Sequence, residues 1–325
     1  MKNIQADIKS GNFKQVYLLY GEEAYLKQQY KQNLVKALNP DGDTMNFNHY
    51  EGKGIDVKQL IDLCETMPFF AERRVVLLED TGFFKNKCEE LADYMKELPD
   101  YLYLVFAETE VDKRNRMYKA VKACGSIAEF IRQDEKTLMR WAAGILGKAG
   151  KKITQRDMEL LLTKTGTDMG NLRMEMEKLI SYTEGRDVVT AEDIEEICTT
   201  QTTNRIFDMV RAVTEKNQKR ALELYYDLLT LKEPPMRILF LLAKQYRQLL
   251  LAKQFAAAGL AQTEIASKLG VPGFVVRNIT TCARAYTISE LEQAVKDFVA
   301  AEESVKTGRL EDKLSAELLT IKYSS

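Results

Sequence analysis

The chain has 325 residues, 45% apolar and 29% charged, the composition of an ordinary soluble globular protein long enough for two or three domains. Its net charge of −1 gives no sign of a stand-alone nucleic-acid or anionic-membrane binder. Five scattered cysteines without a CxxC pair, and a single histidine, His49, exclude a disulfide framework, most zinc sites and most histidine relays. No apolar run reaches transmembrane length and the amino terminus lacks a signal-peptide core. Together these features predict reduced thiols in a soluble, cytoplasmic protein.

From the amino terminus, Val16 to Tyr20 is an apolar run suited to a central strand, and Gly21 follows it at once. Glu22 to Leu38 reads as a helix and Asn46 to Tyr50 as a second strand. Val57, Leu60, Ile61 and Cys64 recur at helical spacing behind Asp56, which stands at the N-cap position. Pro68 disfavours helical geometry at Met67 and sets Phe69 and Phe70 at or just past that helix end. Val75 to Leu78 is then a buried strand, Glu89 to Leu98 a helix, and Tyr101 to Ala107 the strongest strand signal. Lys113 to Ala123 is helical, and Ser126 to Phe130 is a last short strand. Strands alternating with helices predict a mostly parallel, doubly covered sheet ending near Arg132.

From Asp134 to about Thr203 strand signals disappear, and helices are expected over Lys136 to Leu146, Thr154 to Lys164 and Asn171 to Tyr182. A fourth opens at the cap-like Thr190. Beyond Asn204 the pattern is helical throughout, broken at Pro234-Pro235. Three regions follow: an α/β domain over 1–133, a small helical domain over 134–203 and a helical domain over 204–325.

The tip around Met67, Pro68, Phe69 and Phe70 admits two readings. Both rings pack under the next strand, as buried phenylalanine usually does, or the pair is exposed and anchors a partner.

Three further motifs bear on chemistry. Gly21 to Gln28 follows a strand as a phosphate loop does, but Leu26 replaces the second glycine and Gln28 the Mg²⁺-binding hydroxyl beside Lys27. Glu22 and Glu23 add negative charge where phosphates would lie, so the architecture reads as nucleotide-binding with the nucleotide lost. Thr263 to Leu269, Gly270 and Phe274 to Asn278 have helix-turn-helix order, with only Arg277 and Asn278 as base readers. Asp112 to Arg116 and Lys151-Lys152 are small basic clusters that read as solvated faces or phosphate contacts. No catalytic cluster and no cofactor or metal ligand set stands out.

The chain as a whole resembles the delta subunits of bacterial DNA polymerase III clamp loaders. Val16 to Lys27, Met67 to Arg74, Phe106 to Lys119, Asn171 to Leu179, Gln245 to Lys253 and Lys306-Thr307-Gly308 carry the resemblance. It implies an AAA+-like sheet domain with a degenerate phosphate loop, a small helical lid and a carboxy-terminal helical collar. It further implies a non-ATPase accessory subunit of a DNA-directed DNA polymerase (nucleotidyltransferase) holoenzyme, located at the nucleoid-associated replisome in the cytoplasm. Implied partners are the gamma or tau and delta-prime subunits in a hetero-pentamer, primer-template DNA within the complex, and the beta sliding clamp, met by Phe69 and Phe70. The competing reading is a helix-turn-helix DNA-binding regulator with an α/β sensor domain.

Overall fold

The computed structural model describes residues 2–199 and 202–325. The chain separates into two compact units, Met1–Gln133 and Asp134–Ser325. The first runs α1 (Lys2–Ser10), β1 (Val16–Tyr20), α2 (Ala24–Leu38), β2 (Phe47–Glu51), α3 (Val57–Glu65), β3 (Arg74–Glu79), α4 (Glu89–Tyr94), β4 (Leu102–Glu108), α5 (Arg116–Cys124) and β5 (Ser126–Glu129). All strand pairings are parallel, in the order β2-β3-β4-β1-β5. Read from the other edge this is 5-1-4-3-2, the order of an AAA+-like sheet.

The side-chain alternation of a strand divides the core in two. Tyr17, Leu19, Val75, Leu77 and Val105 face one cluster with Ile4 of α1 and Leu34 and Leu38 of α2. Val16, Leu18, Val76, Leu78, Leu104 and Phe106 face the other, with Leu60 and Cys64 of α3, Leu91 of α4, and Met117 and Val121 of α5. The expected stripe of the third helix is therefore real, with Leu60 and Cys64 buried and Val57 and Ile61 packed at the margin. Asp56 caps it by accepting from the backbone amides of Lys58 and Gln59.

Several element boundaries differ from expectation. The first strand is followed by a helix beginning at Ala24, not Glu22. Helix α5 starts at Arg116 because Asn115, not Lys113, supplies the cap, its side chain accepting from the Met117 amide. Helix α4 stops at Tyr94, short of Leu98. Helix α1, whose apolar side rests on little more than Ile4 and Ile8, has no counterpart in the sequence reading.

The second unit is not free of strands as expected. Its elements are α6 (Glu135–Lys148), β6 (Lys152–Ile153), α7 (Gln155–Thr165), α8 (Met169–Tyr182), β7 (Val188–Val189), α9 (Ala191–Ile197), α10 (Thr202–Thr214), α11 (Gln218–Thr230), α12 (Pro235–Ala257), α13 (Gln262–Leu269), α14 (Gly273–Ala283), α15 (Ile288–Lys306) and α16 (Asp312–Ser324). Strands β6 and β7 form a two-stranded parallel pair, too short to show a sequence period. Thr190 opens α9 with a complete capping box.

From Ile206 to Leu319 one apolar cluster joins α10 through α16. Tyr246 of α12 lies at its centre: its hydroxyl is 3.1 Å from that of Tyr286, and its ring lies 5.0 Å from that of Phe298 and 5.4 Å from that of Tyr323. Among the described residues, no helix is long and apolar enough to cross a membrane.

Candidate functional site: a closed phosphate-loop position and an exposed aromatic tip

The candidate residues lie at the two ends of the parallel sheet. At the carboxyl ends of its strands stand the degenerate phosphate-loop residues. Gly21 has φ +123°, and a Cβ there would lie 2.3 Å from the carbonyl oxygen of Phe130, so only glycine fits. That carbonyl also accepts from the Glu23 amide at 3.0 Å. The connection from β1 to α2 is only residues 21–23, because the helix begins at Ala24. In a phosphate loop the four residues between the two glycines stay outside the helix, so that their backbone N–H groups cradle the phosphates. Here Leu26 and Lys27 lie inside the first turn, Leu26 packs into the core, and Gln28 is exposed.

The cations and acids of this crevice are already matched to one another. Lys27 Nζ donates to the carbonyl of Glu108 at 2.9 Å, and burial pushes its ammonium below the usual lysine range against the upward pull of Asp80 and Glu108. Glu79, the acid closing β3, takes Lys31 Nζ at 2.6 Å on one oxygen and lies 2.9 Å from His49 Nε2 on the other. Asp80 accepts from the amide and hydroxyl of Thr109 at 3.0 and 2.7 Å. Glu108 is buried, and burial raises its carboxyl above the usual range, opposed by hydrogen bonds from Thr81. A bound triphosphate would have to displace this network.

The opposite end of the sheet carries the loop between α3 and β3. Phe70 is 94% exposed, Phe69 57% and Met67 74%, while Pro68 is half-buried. The reading that packs both rings under the next strand is therefore wrong. Their edge-to-face contact, with centroids 4.4 Å apart, leaves both available to solvent. The strand beneath is covered instead by Leu60 and Cys64.

Two buried polar residues stand behind this loop, and the sequence gives no sign of what either one holds. Asn46, just before β2, accepts from the Phe69 amide at 2.6 Å and donates to the Phe69 carbonyl at 2.8 Å. Arg74, the first residue of β3, donates to the carbonyls of Thr66 and Met67 at 2.8 and 3.3 Å. The neighbouring Arg73 stacks its guanidinium over the rings of Phe13 and Tyr103. Met45, 65% exposed and next to Asn46, adds a further apolar side chain at this end.

The remaining motifs are largely engaged within the fold. Lys113 pairs with Glu129 at 2.9 Å, Arg114 with Asp112 at 3.1 Å and Arg116 with Asp93 at 2.7 Å. Lys151 donates to the carbonyls of Thr183 and Arg186. The helix-turn-helix pair exists as α13 and α14 joined through Gly270, whose φ of +64° suits the turn. Both helices pack on α12, Val276 and Ile279 are buried, and Arg277 lies 3.5 Å from Glu159 of α7. A recognition helix needs its donors free to reach base edges.

The strand order of the sheet defines an AAA+-like fold. Family profiles are more specific: that of "DNA polymerase III, delta subunit" matches residues 17–130 and that of "DNA polymerase III delta subunit, C-terminal domain" matches 203–323. The chain belongs to the DNA polymerase III delta subunit family. The DNA polymerase III subunit delta of Bacillus subtilis is 26% identical over 332 residues, covering 98% of this chain and 95% of that protein. The probable subunit delta of Aquifex aeolicus is 22% identical over 270 residues, covering 79% and 75%. The solved structure of the Bacillus subtilis DNA clamp loader delta protein is similar over 99% of both chains, with a TM-score of 0.67 at 24% identity, a likeness of fold.

Proposed function

We propose that this chain is the clamp-loader subunit that binds the ring-shaped beta sliding clamp and opens it for loading onto primed DNA, without binding or hydrolysing ATP itself. The observation that carries this reading is the Phe69-Phe70 pair, two large apolar side chains held in solvent where no fold requirement places them. Met67 and Pro68 complete the clamp-binding tip, and a clamp pocket that buries the rings supplies the affinity. The short β1–α2 connection and the internal pairing of Lys27, Lys31, Glu79 and Glu108 support the absence of nucleotide chemistry.

In this reading, residues 134–203 act as the lid and 204–325 as the collar that joins the gamma or tau and delta-prime subunits in a hetero-pentamer around primer-template DNA. Exposed Phe240, Val299, Leu314 and Leu318 on α12, α15 and α16 are available for such contacts. The subunit is then an accessory protein of the polymerase holoenzyme with no catalytic site. The test is co-elution of the full chain with purified beta clamp on gel filtration at micromolar concentration, with a complex expected. Separate elution of the two proteins would overturn the reading.

A further inference from the structure

The polar framework behind the aromatic tip carries an inference that rests on the clamp-binding reading. Residues 67–72 belong to no helix or strand, and an irregular loop ordinarily loses affinity through the entropy of ordering it on contact. This loop is held from both sides. Asn46, only 3% exposed, applies both atoms of its amide to the backbone of Phe69, and its nitrogen also donates to Asp43. The amide orientation is fixed by this set, since the oxygen faces an N–H and the nitrogen faces two acceptors. Asp43 is itself anchored by the Met45 amide at 2.7 Å. Arg74, 5% exposed, holds the other leg through Thr66 and Met67 and reaches Asn48 Oδ1 at 3.2 Å. Between these supports Phe70 stands at φ +50°, a left-handed conformation that bulky side chains adopt only under constraint.

We propose that Asn46 is a positioning residue for clamp binding: its paired hydrogen bonds to Phe69 hold the loop with both rings outward before the clamp arrives. It touches no partner itself and acts through the two phenylalanines.

The test titrates the full-length protein with purified beta clamp, comparing Asn46→Ala, the near-isosteric Asn46→Leu, Phe69→Ala/Phe70→Ala, and the triple variant combining Asn46→Ala with both alanines. Each Asn46 substitution should weaken binding about tenfold, or about 1.4 kcal/mol. In the background without the two rings, Asn46→Ala should have no further effect on affinity. Hydrogen exchange at the Phe69 amide should accelerate in both single variants. Full affinity in Asn46→Leu would show that side-chain volume, not the paired bonds, matters, and would overturn the proposal. So would an additive loss in the ring-free background, or unchanged exchange at Phe69. If Asn46→Ala fails to fold, Asn46→Leu, which keeps the volume, decides the matter. If removing both rings leaves clamp binding intact, the clamp-binding reading fails and this inference with it.

Discussion

Restoring the phosphate-loop consensus by Leu26→Gly with Gln28→Thr is expected to destabilise the protein without creating an ATP site. Leu26 is half-buried against the cluster that contains Tyr17, Leu19 and Phe130. Fully burying a leucine is worth about 1.5–3 kcal/mol, so losing a half-buried one removes about 1–1.5 kcal/mol. Glycine inside a helix adds about 1 kcal/mol more. The sum is about 2–2.5 kcal/mol, a large share of the 5–15 kcal/mol typical of a domain. Binding is not recovered, because the obstacle lies in the backbone: α2 starts at Ala24 and Lys27 donates to the Glu108 carbonyl. Urea unfolding measures the first effect, and titration with a fluorescent ATP analogue and Mg²⁺ measures the second. Saturable micromolar binding by the double variant, abolished by a further Lys27→Ala, would refute the reasoning.

Gly21→Ala should cost about 3 kcal/mol or more by denaturant unfolding, since it combines backbone strain of about 1–3 kcal/mol with a Cβ 2.3 Å from the Phe130 oxygen and disturbed pairing of β1 with β5. Glu108 has a raised carboxyl in the fold, so the native state binds more protons than the unfolded chain and its contribution falls as pH rises through the ordinary carboxylate range. Glu108→Gln should accordingly gain stability relative to the parent as pH rises above the ordinary carboxylate range, and a difference that stays flat with pH would contradict this. Leu314→Glu with Leu318→Glu, both on the exposed side of α16, should prevent assembly with the other loader subunits in gel filtration while leaving clamp binding intact. Intact assembly would remove α16 from the interface.

Much of the α/β unit is legible in the sequence because its strands are fully apolar runs and its helices show clear stripes. Val16 to Tyr20 is buried at every position, and Leu60 and Cys64 face the core as their spacing requires. The missed pieces are those that periodicity cannot register. Strands β6 and β7 are two residues each, and their pairing joins residues far apart in the chain. The start of α2 depends on the close approach of Gly21 to Phe130, a contact across the sheet edge.

At the tip the residue pattern alone singles out four residues and leaves their exposure open, because adjacent phenylalanines fit either reading, and only the family resemblance favours exposure. What decides it is Asn46, whose role depends on a hydrogen bond between residues 23 positions apart. A lone asparagine before a strand gives no hint of such a partner. The filled crevice behaves likewise: the mismatched letters at Leu26 and Gln28 are visible, whereas the pairing of Lys31 and His49 with Glu79 emerges only when three elements meet.

The central claim is most directly tested by titrating purified beta clamp with the full-length protein and with Phe69→Ala/Phe70→Ala, and recording thermal unfolding of both. Burying each ring in a partner is worth about 1.5–3 kcal/mol, so the double variant should bind at least about two orders of magnitude more weakly. Its Tm should stay close to the parent's, because rings this exposed leave no core cavity when removed. A variant that binds the clamp as tightly as the parent would contradict the account, and so would one that loses several kcal/mol of stability while its folded fraction binds normally.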